Sequence, residues 1–161
     1  MKALHVDLVS HWHLAAPVDR VWSALAAPET WPGWWPSVRA VQTLHTGDIH
    51  GIGGVRRIEW TSGLGYPVVI EVEAVEALRH ERLRGRSRGD LRGEGIWLLR
   101  GNGQATDVTY VWRVQLERPW MRLLAPVLSP LFRWNHRRVM REGCAGLARH
   151  LGVAHELVAL R

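Results

Sequence analysis

The chain has 161 residues, of which 47% are hydrophobic and 22% charged, with a formal net charge of +6. This is the length and composition of one globular domain with a sizeable core, and it excludes a disordered or low-complexity chain. Lys2 is the only lysine, so the positive balance belongs to arginine. It admits an anion, a nucleic acid or an acidic membrane as partner, and equally a bland preference for arginine codons. Ten tryptophans stand against one phenylalanine and two tyrosines. Indoles in that number pack a core or line a pocket for rings and chains. Cys144 is the single cysteine, which excludes an intramolecular disulfide and fits a reducing, cytoplasmic location. Met1 to Leu14 holds Asp7 and three histidines, so no signal peptide is expected there. No run reaches the roughly 18–20 apolar residues that span a bilayer.

Residues 4–14 alternate, with Leu4, Val6 and Leu8 against His5 and Asp7, and predict a first strand. Pro17 suits the start of a short helix whose apolar stripe is Val18, Val21, Trp22 and Leu25, and Pro28 ends it. Residues 28–36 are too rich in proline for a long helix and predict one short turn carrying Trp31, Trp34 and Trp35. Further strands are expected at 37–46, 55–62, 66–78, 81–88, 91–100 and 105–117, separated by glycine-bearing turns such as Gly51-Ile52-Gly53-Gly54. Short connections make the sheet antiparallel. Residues 118–128 predict a short helix that Pro126 and Pro130 keep separate from a main helix over 130–151, closed by Gly152. Residues 1–152 read as one domain and 153–161 as a flexible tail.

That order, with Ala16-Pro17-Val18-Asp19-Arg20-Val21-Trp22, Trp31-Pro32-Gly33-Trp34-Trp35-Pro36 and the helix 134–151, resembles the SRPBCC superfamily (START-related lipid-transfer proteins, Bet v 1-like allergens, and bacterial polyketide cyclases and dehydratases). The resemblance covers about residues 4–151. It implies an α+β helix-grip fold: a curved antiparallel sheet of six to seven strands around a long C-terminal helix, with two short helices after strand 1. It implies a cavity between sheet and helix for a lipid-like, polyketide-like or aromatic molecule. Members include carriers, receptors and enzymes, so the fold leaves binding, transport and catalysis open.

On the long helix, Phe132, His136, Val139, Met140, Gly143 and Leu147 share the stripe facing the sheet, and Arg137, Arg138, Arg141 and Arg149 face water. Gly143 and Gly146 are expected to let the sheet approach closely. His136 admits three readings: a core imidazole satisfied by a neighbour, a ligand contact, or a general acid or base, with Tyr110 or Asp90 as its partner in a cyclase or dehydratase. Strand parity points Val108, Tyr110, Trp112, Val114 and Leu116 inward, and groups Trp97 with Gly93, Gly95 and Leu99. The expected ligand-binding residues are Trp60, Tyr66, Trp97, Tyr110, Trp112, Phe132, His136 and Met140, with His136 the one catalytic candidate. Each of these also has a plain packing role available.

Arg82, Arg84, Arg86 and Arg88 share one face against Leu83, Gly85 and Ser87, which predicts a solvated outer face or an anion contact. No nucleic-acid partner is expected. His11 and His13 share a strand face, but zinc needs a third ligand and none is in pattern, so no metal and no cofactor is expected. Residues 118–134 are basic and aromatic, the composition of a cover for the cavity mouth or of a peripheral membrane contact. A monomer and a homodimer both fit.

Overall fold

A computed structural model describes residues 5–63, 65–116 and 119–160. The expected element ends at Leu4, Glu117, Arg118 and Arg161 lie outside these residues. The elements run β1 (His5–Leu14), α1 (Val18–Leu25), a 3-10 turn (Pro28–Gly33), β2 (Val38–His45), β3 (Val55–Trp60), β4 (Val68–Leu78), β5 (Arg82–Gly89), β6 (Leu91–Gly101), β7 (Thr106–Leu116), α2 (Pro119–Leu123), α3 (Ala125–Leu151) and β8 (His155–Leu160). The eight strands form one antiparallel sheet in the order β2-β3-β4-β5-β6-β7-β1-β8. The sheet closes on α3, the helix-grip arrangement.

Alternation decides which face of each strand meets α3. On β7, Val108, Val114 and Leu116 are buried and Asp107 and Arg113 exposed. On β6, Leu91, Trp97 and Leu99 turn inward. The arginines of β5 face solvent, where Arg82, Arg84 and Arg88 pair with Glu76, Glu94 and Glu71 at 2.9–3.1 Å. Exposed pairs of this kind contribute little to stability.

Three expectations are corrected. The tail expected over 153–161 carries a strand within the described residues: His155–Leu160 adds β8 to the free edge of β1, with Trp12 opposite Leu157 and His13 opposite Glu156. An open sheet edge presents unpaired N–H and C=O groups, and a short following segment satisfies them. The main helix does not begin at Pro130. α3 runs unbroken from Ala125, with Pro126 in its first turn, where a missing N–H costs nothing, and Pro130 inside it. Pro130 forfeits only one backbone bond, and the buried stripe on α3 carries the helix past it. Finally, Gly143 and Gly146 do not admit the sheet. A Cβ on Gly143 would collide with the Trp35 indole, and one on Gly146 with the Trp34 carbonyl. The tight approach is between α3 and the chain just after the 3-10 turn.

That contact anchors the core. Trp35 is fully buried and its Nε1–H donates to the Val139 carbonyl of α3 at 2.9 Å. Trp12, Trp31, Trp35 and Trp97 meet one another edge-on or tilted, with centroids 5.4–6.4 Å apart. Ser37, next to this cluster, donates from Oγ to Glu142 of α3. The Trp31-Pro32-Gly33-Trp34-Trp35 segment is therefore the clasp between helix and sheet.

Candidate functional site

Two hollows lie on the inner face of the sheet, the first under α3 and the second under the end of α1 and the 3-10 turn. The first, of about 70 Å³, is walled by β1, β6 and β7 on one side and by Phe132, Asn135, His136, Val139 and Met140 of α3 on the other. The second, of about 130 Å³, lies towards β3–β5 and is reached past Leu25, Pro28, Arg56, Leu83 and Gly85. Trp31, Trp60, Ile70, Trp97, Tyr110 and Trp112 line both. They form an aromatic partition. Trp97 and Tyr110 stack at 4.1 Å within it.

Of the residues expected in the pocket, Trp60, Trp97, Tyr110, Trp112, Phe132, His136 and Met140 line the first hollow. Tyr66 does not. It lies in the turn before β4, so its ring meets Trp120 of α2 at 6.0 Å instead of reaching under α3. Asp90 lines neither hollow; its carboxylate accepts the Val69 backbone N–H at 3.0 Å. His11 and His13 use Nδ1 on Thr109 and Asp107 of β7, at 3.0 and 2.7 Å. No cluster of three or more His, Cys, Asp or Glu is placed to hold a metal among the described residues.

His136 is buried, and burial disfavours its charged form, lowering its pKa from 6.5 to about 4. Its ring stacks on Tyr110 at 6.4 Å and tilts against Trp112 at 5.4 Å. Its Nε2 has no hydrogen-bond partner among the described residues, and neither has the buried Nε1–H of Trp60. Burial also pushes the Tyr110 phenol above its usual value. Cys144 is raised to about 12 by burial and is an inert packing group. The hollow thus offers an apolar wall and neutral hydrogen-bonding groups, with no charge inside.

At the second hollow the expected list missed Arg56. It sits on the inner face of β3 and pairs through Nε with Glu29 of the 3-10 turn at 2.7 Å. Burial works to raise the Glu29 carboxyl. Hydrogen bonds from Arg56, from its own backbone and from Thr43 outweigh this and hold it below the usual carboxylate range. Parity with Ile58 and Trp60 was the signal that Arg56 faces inward.

The low pKa of His136 has a direct consequence. The unfolded chain takes up its proton near pH 6.5 and the folded one only near 4. Stability should therefore fall as pH drops through that window and level off outside it. The loss by pH 5 is about 2 kcal/mol from this group. Urea unfolding at pH 7 and pH 5 should show a clearly smaller acid loss for His136→Leu than for the wild type. Equal acid losses would mean that the imidazole is not desolvated.

A curved antiparallel sheet gripping one long helix, with an apolar cavity between them, defines a helix-grip ligand-binding domain. Residues 5–152 match the family described as polyketide cyclase / dehydrase and lipid transport, and the chain belongs to that family. No curated protein sequence matches it. Among solved structures, an aromatase/cyclase from Streptomyces sp. R1128 is similar with a TM-score of 0.74 and 16% identity, over 94% of each chain. A protein from Thermus thermophilus has a TM-score of 0.70 and 19% identity, over 90% of this chain and 99% of its own. A START superfamily protein from Mycobacterium smegmatis has a TM-score of 0.70 and 13% identity, over 91% and 99%. At these identities the likeness is one of fold.

Proposed function

We propose that this protein binds a small, largely apolar molecule, aromatic or polyketide-like, between sheet and α3. The observation that carries this is the chemistry of the wall. His136 and Trp60 each place a buried polar atom without a protein partner in a lining that is otherwise rings and aliphatic chains. Such an atom is costly to leave unmatched, and a bound acceptor or donor removes the penalty. Neither hollow reaches the roughly 300 Å³ at which drug-sized ligand sites begin. A full-sized occupant therefore requires rings of the shared partition to move so that the two hollows join. We place this activity in the cytoplasm; no helix among the described residues is long and apolar enough to cross a membrane.

The alternative is cyclase or dehydratase chemistry, and it draws on the facing rings of His136 and Tyr110. A pKa of about 4 makes the imidazole a weak base near neutral pH. Asp90 is outside the cavity and lends it no charge. Hydrogen bonding to a carbonyl or phenol is the role this environment supports best. The enzyme reading gains only if His136→Ala abolishes turnover of a polyketide substrate while leaving its binding intact.

Native mass spectrometry of the purified protein should reveal a co-purified compound, or a naphthol-type probe should raise the melting temperature. A probe at about a hundredfold excess over its Kd stabilises the fold by about 2.7 kcal/mol. Trp60→Phe should weaken a hydroxyl- or carbonyl-bearing probe about fivefold, the worth of one hydrogen bond. A protein that arrives empty and ignores a broad series of aromatic and lipid probes has no such site.

A further inference from the structure

An apolar surface with a basic border sits at the α2–α3 end of the molecule. Trp120, Leu123, Leu124, Val127 and Trp134 are exposed by 41%, 72%, 47%, 73% and 53%. Large apolar side chains grouped in this way on a protein surface mark a contact. Residues 119–141 contain Arg122, Arg133, Arg137, Arg138 and Arg141 and no Asp or Glu. Arg122 is engaged with the Leu116 carbonyl at 3.2 Å, and Arg138 lies over the Trp134 ring at 5.9 Å from its centroid. Arg133, Arg137 and Arg141 are exposed. Along the outer side of α3, Val127 and Trp134 therefore give way to arginines one to two turns on.

We infer that this surface docks on an anionic lipid bilayer. Apolar side chains that enter the acyl boundary, tryptophans at its edge and arginines at headgroup level are the composition such a surface requires. Charge selects the occupant. Glu142, the next acid along α3, is already held by Ser37 and Arg138, so in a symmetric dimer of this face Arg133, Arg137 and Arg141 would meet their copies with no acidic residue of 119–141 to answer them. An anionic membrane answers all of them at once. The position adds a consequence. Phe132 and Asn135, on the same stretch of α3, line the first hollow, and the Trp134 ring covers Gly63 beside it. Docking brings the helix side of the cavity against an apolar reservoir. The membrane contact itself stands whether or not the cavity is occupied.

The test is co-flotation of the full chain with vesicles of phosphatidylcholine alone and of equal parts phosphatidylcholine and phosphatidylglycerol. The protein should float with the second and hardly with the first, and added salt should weaken the association. The double variant Leu123→Asp/Val127→Asp should lower binding about tenfold or more. Its melting temperature should be unchanged, since both side chains already face water. Arg133→Glu/Arg137→Glu should also lower it about tenfold. Absence of flotation at low salt overturns the inference. So does flotation that survives Leu123→Asp/Val127→Asp but is lost on Arg86→Glu/Arg92→Glu, which would place the contact on the sheet. A monomer–dimer equilibrium that Leu123→Asp/Val127→Asp abolishes, with no flotation of the parent, would assign the surface to a second copy of the chain.

Discussion

Replacing Trp35 by alanine should remove about 3–5 kcal/mol of stability, the cost of emptying a large buried aromatic site. The reason is position as much as size. Trp35 is 1% exposed, meets Trp12, Trp31, Trp60 and Trp97, and ties its Nε1–H to the Val139 carbonyl in the middle of α3. The wall behind it consists of other rings and of helix backbone, which cannot collapse into the gap. Trp35→Phe keeps most of the volume and loses the hydrogen bond, so it should cost distinctly less. Urea midpoints of the two variants measure the difference. A loss under about 1 kcal/mol for Trp35→Ala, smaller than a typical single buried contact, would show that this side chain is not the clasp.

The second large effect concerns the glycines that receive that clasp. Gly143→Ala and Gly146→Ala should each destabilise by about 1–3 kcal/mol or more, the range for overpacking. Helix propensity alone predicts the opposite, a gain of about 1 kcal/mol. The two variants separate in their response to Trp35→Ala. At Gly143 the added methyl meets the Trp35 indole, so removing that ring should erase most of the cost. At Gly146 it meets the Trp34 backbone carbonyl, which no side-chain deletion moves, so the cost should persist. A double-mutant cycle reads this as strong coupling for Gly143 with Trp35 and weak coupling for Gly146 with Trp35. Additivity in both cycles would remove the indole–glycine contact from the account.

The inward rank of Val108, Tyr110, Trp112, Val114 and Leu116 was legible because a strand has a period of two, and one shifted residue would turn all five outward. The cavity face of α3 was legible for the matching reason: Phe132, His136 and Met140 recur at a period that only a helix puts on one side. Tyr66 failed this kind of reading because it lies in a turn, where parity has no meaning and the nearest helix, α2, sets its direction. Arg56 shares the parity of Ile58 and Trp60 on β3, but nothing local shows that a carboxylate from Glu29, far back in the chain, meets it there. Pro130 looked like a boundary because its local cost is certain and the compensating burial along α3 is not visible locally.

The order of strands and helices, the apolar and aromatic character of the interior and the outward arginines were determined by the sequence alone, since they depend on short-range periodicity and on residue type; the helix-grip layout followed from the family resemblance which that order carries. Only the tertiary structure decided the cavity itself. It split the interior into two hollows across a partition of rings, left His136 and Trp60 with unmatched polar atoms, and seated Trp35 in the gap at Gly143. It also turned His155–Leu160 into β8, because β1, paired with β7 on one side, leaves its other edge to be filled. These features arise between segments a hundred residues apart. No local pattern encodes a distance between two faces; close packing sets it only when both faces are present.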